Sequence, residues 1–493
     1  MSRVVVIGAG IGGLASAVLL ANRGLSVTVV EKNATVGGKM NRVISNGYTF
    51  DTGPSLLTMP FLLEQLFDEC GQVFDDFLQI EELDPLCRYT YSDGTTFDNY
   101  SDRKKSIQEI ATFAPSDTEN YLKFLDRAEQ IYNKTADAFL FNPLYSFGDF
   151  LKVNPLKFLG IDAFSTVAHK VDDTVNSPYL RQFFKRFTTY NGSSPFRAPA
   201  TLNVIPHVEL NQGGYYVRGG LYRIAEALYE LAIKLGVDFT FSSEVNSITI
   251  ENKKVKQIVL KTGSVIACDL LFSNSDATET LVKLLPDGTI SQRKKEKQKN
   301  IEPSCSGFVL LLGCNRKWEN LIHHNIFFSS NYEQEFADIF ERKMLPDEPT
   351  IYVANSSFTD THHAPENASN LFVLVNAPYL HNSQNWEEIT PNYANKIIDI
   401  LQKSGLEKLR ESIEFQQIIT PEDFYAKYRS NKGSIYGTSS NDKFSAFLRP
   451  RNKSREIDNL YLVGGSTHPG GGIPLVLQSA FNAVTLFDRD RRN

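Results

Sequence analysis

The apolar positions of this chain fall into a small number of readable rhythms. Arg3 to Ile7 form a β-branched run, Leu14 to Arg23 place apolar residues at helical spacing, and Ser26 to Val30 form a second strand-like run. Gly24 ends the helix between them, so the opening predicts a parallel strand–helix–strand unit. GYTFDTGPSLLTMP, Gly47 to Pro60, starts as a strand and breaks at Gly53-Pro54. From Ser106 to about Val175 the pattern turns helical, with Tyr121, Phe124, Leu125, Ala128 and Tyr132 on one stripe. Gly219-Gly220 open a further helix, with Leu221, Ile224, Ala225 and Leu228 on one face. Strands follow at Lys256 to Leu260 and Asp269 to Ser273, then a charged helix over Gln292 to Asn300. The runs Ser306 to Leu312, Thr350 to Ala354 and Leu371 to Asn376 predict a second sheet. Finally, Leu460 to Val463 read as a buried parallel strand and Leu475 onward as a helix.

Glycine placement gives the first unit its chemistry. GAGIGG, Gly8 to Gly13, follows the first strand directly, and Glu31 closes the second strand roughly twenty residues on. Gly8 permits the tight turn, Gly10 lets a pyrophosphate touch backbone, and Gly13 allows helix and strand to pack closely. Glu31 can accept both ribose hydroxyls, and its charge disfavours a 2′-phosphate. The fingerprint alone does not separate NAD from FAD. Gly37 and Gly38, in EKNATVGGKM, come soon after the acid, and this second pair resembles the extended FAD motif of the amine oxidase and glutathione reductase superfamily.

The glycine-rich stretch between the last strand and helix points the same way. Gly464, Gly465, Gly470, Gly471 and Gly472, with Pro469 and Pro474, leave a loop poor in side chains ahead of a helix N-terminus. Such a loop lets backbone approach a flat ligand and receive partial negative charge, as a reduced flavin requires.

Composition narrows the partners. The 493 residues suffice for two to three domains with a large core, and 42% hydrophobic with 22% charged residues is ordinary globular composition. A formal net charge of -6 argues against nucleic acid. Cys70, Cys87, Cys268, Cys305 and Cys314 contain no CxxC pair, and neither His323-His324 nor His362-His363 has ligand spacing, so no metal site is expected. The first strand starts at Arg3, leaving no room for a signal peptide, and no run approaches the ~20 apolar residues of a spanning helix. A cytoplasmic protein, soluble or peripheral to a membrane, is expected.

With these pieces in place, the chain resembles the bacterial-type carotenoid desaturases, the phytoene desaturase family of FAD enzymes, over nearly its whole length. NLYLVGGSTHPGGGI, Asn459 to Ile473, looks like the family's C-terminal signature, and Phe50 to Ser55 and Val217 to Leu228 look like family segments. One position departs: Gly471 stands where the family usually carries a small residue with a side chain, which bears on loop rigidity and not on flavin binding. The resemblance implies an α/β fold with a Rossmann-like FAD-binding domain assembled from residues 1–85, 211–290 and 456–493. Interleaved with it are a helical, membrane-associated part at 86–210 and an α+β substrate part at 291–455. It implies FAD contacts at Gly8, Gly10, Ile11, Gly12 and Gly13, at Glu31 and Lys32, and at Gly37, Gly38, Lys39 and Met40. Further contacts are implied at Gly53, Pro54 and Ser55, at Val245, and at Gly464, Gly465, Gly472, Ile473 and Pro474. No catalytic side chain is identified, and His468 is the sole titrating group on the final loop.

The reaction implied is removal of hydrogen across a carbon–carbon bond of a carotenoid, with electrons passing through FAD to oxygen or a quinone. Phytoene desaturation, 3,4-desaturation of hydroxylated carotenoids and end-group oxygenation all stay open. Desaturation is favoured because no oxygen-activating site stands out. The aromatic stretch Phe139 to Phe164, broken by prolines and carrying Lys152 and Lys157, fits an interfacial helix pair or tunnel mouth, and equally a buried helical subdomain. The QRKKEKQK run fits anionic lipid or an ordinary solvated helix face. A non-enzymatic polyisoprenoid-binding protein on a degenerate version of the fold, and a soluble amine or porphyrinogen oxidase, are the remaining alternatives.

Overall fold

The computed structural model describes residues 2–142, 162, 164–381, 384–442 and 449–492. The stretch 143–161, with Lys152 and Lys157, lies outside the described residues. Val4, Val6, Val27 and Val29 are buried, as expected of short β-branched strands covered by helices on both sides. They belong to a five-stranded parallel sheet in the order Leu460–Leu462, Leu270–Ser273, Arg3–Ile7, Ser26–Val30, Asp238–Thr240. Its strands come from three distant parts of the chain. The helix Ile11–Asn22 follows the first strand, and the 20-residue helix Ile473–Arg492 follows the last. A small antiparallel sheet, Val245–Glu251, Lys254–Leu260 and Val265–Ala267, caps one side.

A second, seven-stranded sheet runs in the order Ile413–Ile419, Ser306–Cys314, Ser369–Ala377, Ile351–Ala354, His324–Phe327, Cys87–Thr90, Thr96–Asn99. Alternation gives it two faces. Phe308, Leu310, Leu312, Val353 and Val373 pack with Ile397 and Leu401 of the helix Trp386–Lys403. Val309, Leu311 and Phe372 face the other way, with Tyr48 and Phe50. Helices Arg103–Phe113, Thr118–Ala136, Val167–Thr174 and Pro178–Lys185 lie beyond its far edge, where Tyr89, Phe97, Phe183 and Phe184 form an aromatic core. All five cysteines are buried free thiols. Among the described residues no helix is long and apolar enough to cross a membrane.

Candidate functional site

A cavity of about 330 Å³ opens at the carboxyl ends of the strands Arg3–Ile7 and Leu270–Ser273, where Ile7, Gly8 and Asn274 line it. The chain turns in opposite directions after these two neighbours, the point at which parallel sheets leave a crevice. Glu31, at the end of the next strand, forms one end of the cavity together with Val245 and Lys32. Its carboxylate also fastens the loop: Oε2 accepts from the Ala9 amide at 2.7 Å, and Oε1 accepts from the Asn33 amide at 2.8 Å and from Asn33 Nδ2 at 2.9 Å. Glu31 therefore braces the glycine turn from its place at that end of the cavity.

From that end the cavity passes Gly10, Ile11 and Gly12 and reaches Gly472 and Ile473. The helices starting at Ile11 and Ile473 thus both direct unpaired backbone N–H groups toward it, which suits a pyrophosphate and a ring gaining negative charge. The Asn274 side chain sits over the turn: a Cβ on Gly10 would lie 2.7 Å from its Oδ1, while its Nδ2 donates to the Val463 carbonyl at 3.2 Å. Gly37, Gly38, Lys39 and Met40 complete the floor. Lys39 is held by the carbonyls of Ser434 (2.9 Å) and Ile435 (3.0 Å), and burial, opposed by the Asp276 carboxylate, lowers its ammonium to about 8.

The far end is rich in glycine. Gly53, Pro54, Tyr436, Gly437, Gly465, Ser466 and Gly471 form its walls, with Val309, Phe372 and Leu374 of the large sheet behind. Gly471 now has a reason. A Cβ there would lie 3.1 Å from the Tyr436 carbonyl oxygen and 3.2 Å from its Cα, so the missing side chain makes room for Tyr436. The polar residues of the loop are spent on structure: Ser466 Oγ accepts from the Ala277 amide, and Thr467 Oγ1 donates to the Gly464 carbonyl. His468 does not line the cavity, and burial, with the Arg449 guanidinium nearby, holds it down to about 4.

Four of the expected contact residues lie behind the wall. Gly13 packs on the turn, where a Cβ would be 2.0 Å from the Gly8 carbonyl oxygen. A Cβ on Gly464 would be 2.3 Å from Asn274 Nδ2, and the Gly464 amide donates to Ser479 Oγ. Ser55 turns away to bond Tyr352 Oη at 2.5 Å, and Pro474 is buried in the first helical turn. Conversely, Asn274, Tyr436 and the segment Lys427 to Ser430 line the cavity and were not foreseen. Only Asn274 had a signal, its place just past a parallel strand. Among the described residues no group of three or more His, Cys, Asp or Glu side chains is placed to hold a metal ion.

The parallel sheet, the acid on its second strand and a cavity spanning two helix N-termini are the architecture of a flavin-type oxidoreductase. Residues 11–486 match the family of flavin containing amine oxidoreductases, and the chain belongs to that family. A 4,4'-diaponeurosporene oxygenase of Staphylococcus aureus (strain bovine RF122 / ET3-1) is 37% identical over 478 residues, covering 97% of this chain and 96% of that protein. A 4,4'-diapolycopene oxygenase of Methylomonas sp is 36% identical over 482 residues, with the same coverage. Among solved structures, a putrescine oxidase triple mutant superposes with a TM-score of 0.67 over 100% of this chain and 99% of its own, at 13% identity. An oxidoreductase from Methanosarcina mazei gives 0.66 over 98% of this chain and 100% of its own, at 17% identity. At that identity the two structures establish the fold alone.

Proposed function

We propose that the chain binds FAD along this cavity and oxidises an acyclic or monocyclic carotenoid taken from a membrane. The observation that carries the reading is 36–37% identity, over 97% of the chain, to flavin-family relatives named for diaponeurosporene and diapolycopene. Glu31 and Val245 take the adenosine end, the turn Gly8 to Gly12 the pyrophosphate, and the walls at Pro54, Tyr436 and Gly472 the ring. Residues 1–85, 211–290 and 456–493 make up the cofactor half, and the remainder serves the substrate. Bound FAD supplies a two-electron oxidant. The protein's tasks are to align a chain against the apolar wall of Val309, Phe372 and Leu374 and to exclude water. A carbon beside a polyene needs no side-chain nucleophile to lose hydrogen, because the double bonds spread the developing positive charge.

Two products share that first step. Loss of a proton gives a new C=C bond, whereas capture of one admitted water molecule at a terminal carbon, with release of its proton, gives a hydroxylated end; an oxygenated end is the outcome favoured by the relatives' names. A carotenoid of thirty to forty carbons, at ~0.8 kcal/mol per CH₂, would cost tens of kcal/mol to carry through water. Peripheral docking on a bilayer follows, and reoxidation falls to oxygen or a quinone. Purified protein should take up FAD, seen in its visible spectrum, and convert acyclic carotenoid dispersed in liposomes to products resolved by mass. Failure to retain FAD, or turnover of soluble amines without lipid, overturns the reading.

A further inference from the structure

The large sheet turns one face to the cofactor cavity, and farther along the same face lies a buried polar cluster with no part in flavin binding. Leu374, on the cavity wall, is opposite Tyr352; Tyr352 is opposite Ile326, and Ile326 is paired with Tyr89. Three strand spacings put Tyr89 about 14 Å from the wall. There the Arg186 guanidinium donates through Nη2 to Tyr89 Oη and to Glu209 Oε1, both at 2.5 Å, and lies 4.1 Å from the Phe187 ring centre. Tyr190 Oη donates to the other Glu209 oxygen. Between cluster and cavity, Tyr352 Oη bonds Ser55 Oγ at 2.5 Å, next to cavity-lining Pro54, and His324 Nδ1 at 2.7 Å.

Two atoms of this cluster are unpaired. Arg186 Nε and His324 Nε2 have no hydrogen-bond partner among the described residues, although Arg186 is only 6% exposed and His324 3%. A buried polar atom left bare is costly, and two beside one cluster, one on the sheet and one on the turn packed against it, indicate a place for a ligand. Their chemistry restricts which ligand. Arg186 Nε can only donate. His324 is neutral, because burial, with His323 and Arg186 adding to it, holds it well below the ordinary histidine range. In the tautomer in which Tyr352 donates to Nδ1, the imidazole proton sits on Nε2 and makes it a second donor. Glu209 already balances the charge of Arg186. Two donors without net charge, amid Phe187, Ile326 and Phe328, suit a neutral oxygen on an apolar chain better than a carboxylate or an amine.

We propose that Arg186 and His324 form a recognition site for a carbonyl or hydroxyl oxygen carried by the polyene substrate, remote from the reacting carbon. The assignment rests on the function proposed above. It makes both residues determinants of specificity, selecting chains that already bear oxygen.

The test is a competition on the flavin-loaded enzyme. The protein is equilibrated with phosphatidylcholine vesicles holding equal amounts of an acyclic polyene hydrocarbon and its terminal aldehyde, then repurified, and the bound polyenes are extracted and quantified. Wild type should enrich the aldehyde on the order of ten- to a hundredfold, the range for a hydrogen bond from a charged donor. Arg186→Lys keeps the ion pair with Glu209 but removes Nε–H, and His324→Phe removes the other donor; each should lose the enrichment, with flavin content reporting the fold. Equal retention of both polyenes by wild type, or unchanged enrichment in both flavin-loaded variants, overturns the assignment and leaves the proposed function intact. Retention of neither polyene overturns both.

Discussion

Glu31→Gln separates two roles that the glycine fingerprint alone would merge. The wild-type carboxylate serves three donors, the Ala9 amide on one oxygen and the Asn33 amide and side chain on the other. Glutamine offers one oxygen and one NH₂, so in either orientation an N–H faces an N–H. Ala9 is fully buried and Glu31 nearly so, at 0% and 5% exposure, so water cannot easily replace the lost acceptor. A buried donor left unpaired costs about 1–3 kcal/mol, which corresponds to roughly 5- to 150-fold in a local opening equilibrium. Hydrogen exchange on the flavin-free variant should therefore show loss of protection by that factor over Gly8 to Gly13 or at Asn33. The flavin dissociation constant should rise by at least as much, because the turn that lines the cavity has loosened. Weaker flavin binding with unchanged exchange in the flavin-free protein would refute this and reduce Glu31 to a ribose ligand.

Gly471→Ala forces a Cβ to within 3.1 Å of the Tyr436 carbonyl oxygen, so the cavity wall must shift by a few tenths of an ångström; at about 1 kcal/mol, flavin affinity should fall roughly fivefold in a fluorescence titration, and an unchanged value would show that the wall yields freely. Glu335 bonds Ser329 and Thr350 through one oxygen, and burial pushes its carboxyl up to about 7, with those two hydroxyls opposing. Raised above its unfolded value, it contributes stability that is fully present below pH ~4.5 and is lost as pH rises through ~7, on the order of 3 kcal/mol. Glu335→Gln should flatten urea midpoints measured across that window, and an unaltered pH slope in the variant would contradict the assignment.

Legibility followed the range over which each element is specified. The opening unit was readable because strand, turn, helix and acid lie within about thirty residues and each obeys a local rule. The strands Ser306–Cys314 and Ser369–Ala377 were readable because both of their faces are buried, leaving long apolar runs. The outer strands of the same sheet were not. Cys87–Thr90 and Thr96–Asn99 carry Arg88 and Asp98, which bond each other across the pair, and Ile413–Ile419 carries Glu414 and Gln416 on an exposed side. Cys87–Thr90 joins the sheet through His324–Phe327, more than two hundred residues on, and Ile413–Ile419 through Ser306–Cys314, about a hundred residues back. Ser55 shows the same limit within the site: it follows two cavity-lining residues, yet Tyr352 draws its side chain elsewhere. Gly471 is intelligible only beside Tyr436, thirty-five positions earlier.

The three-part construction of the parallel sheet has a consequence for biosynthesis. The turn at Gly8 to Gly13 emerges from the ribosome early, but its cavity is closed by Gly465, Gly472 and Ile473, and its sheet by the strand Leu460–Leu462. About 450 residues of translation separate the two, roughly 20–90 s at ordinary elongation rates. Throughout that interval the nascent chain holds half a binding site and an unpaired strand edge. The cavity is accordingly complete only when translation is nearly finished, and a ligand that needs both of its halves can bind only then.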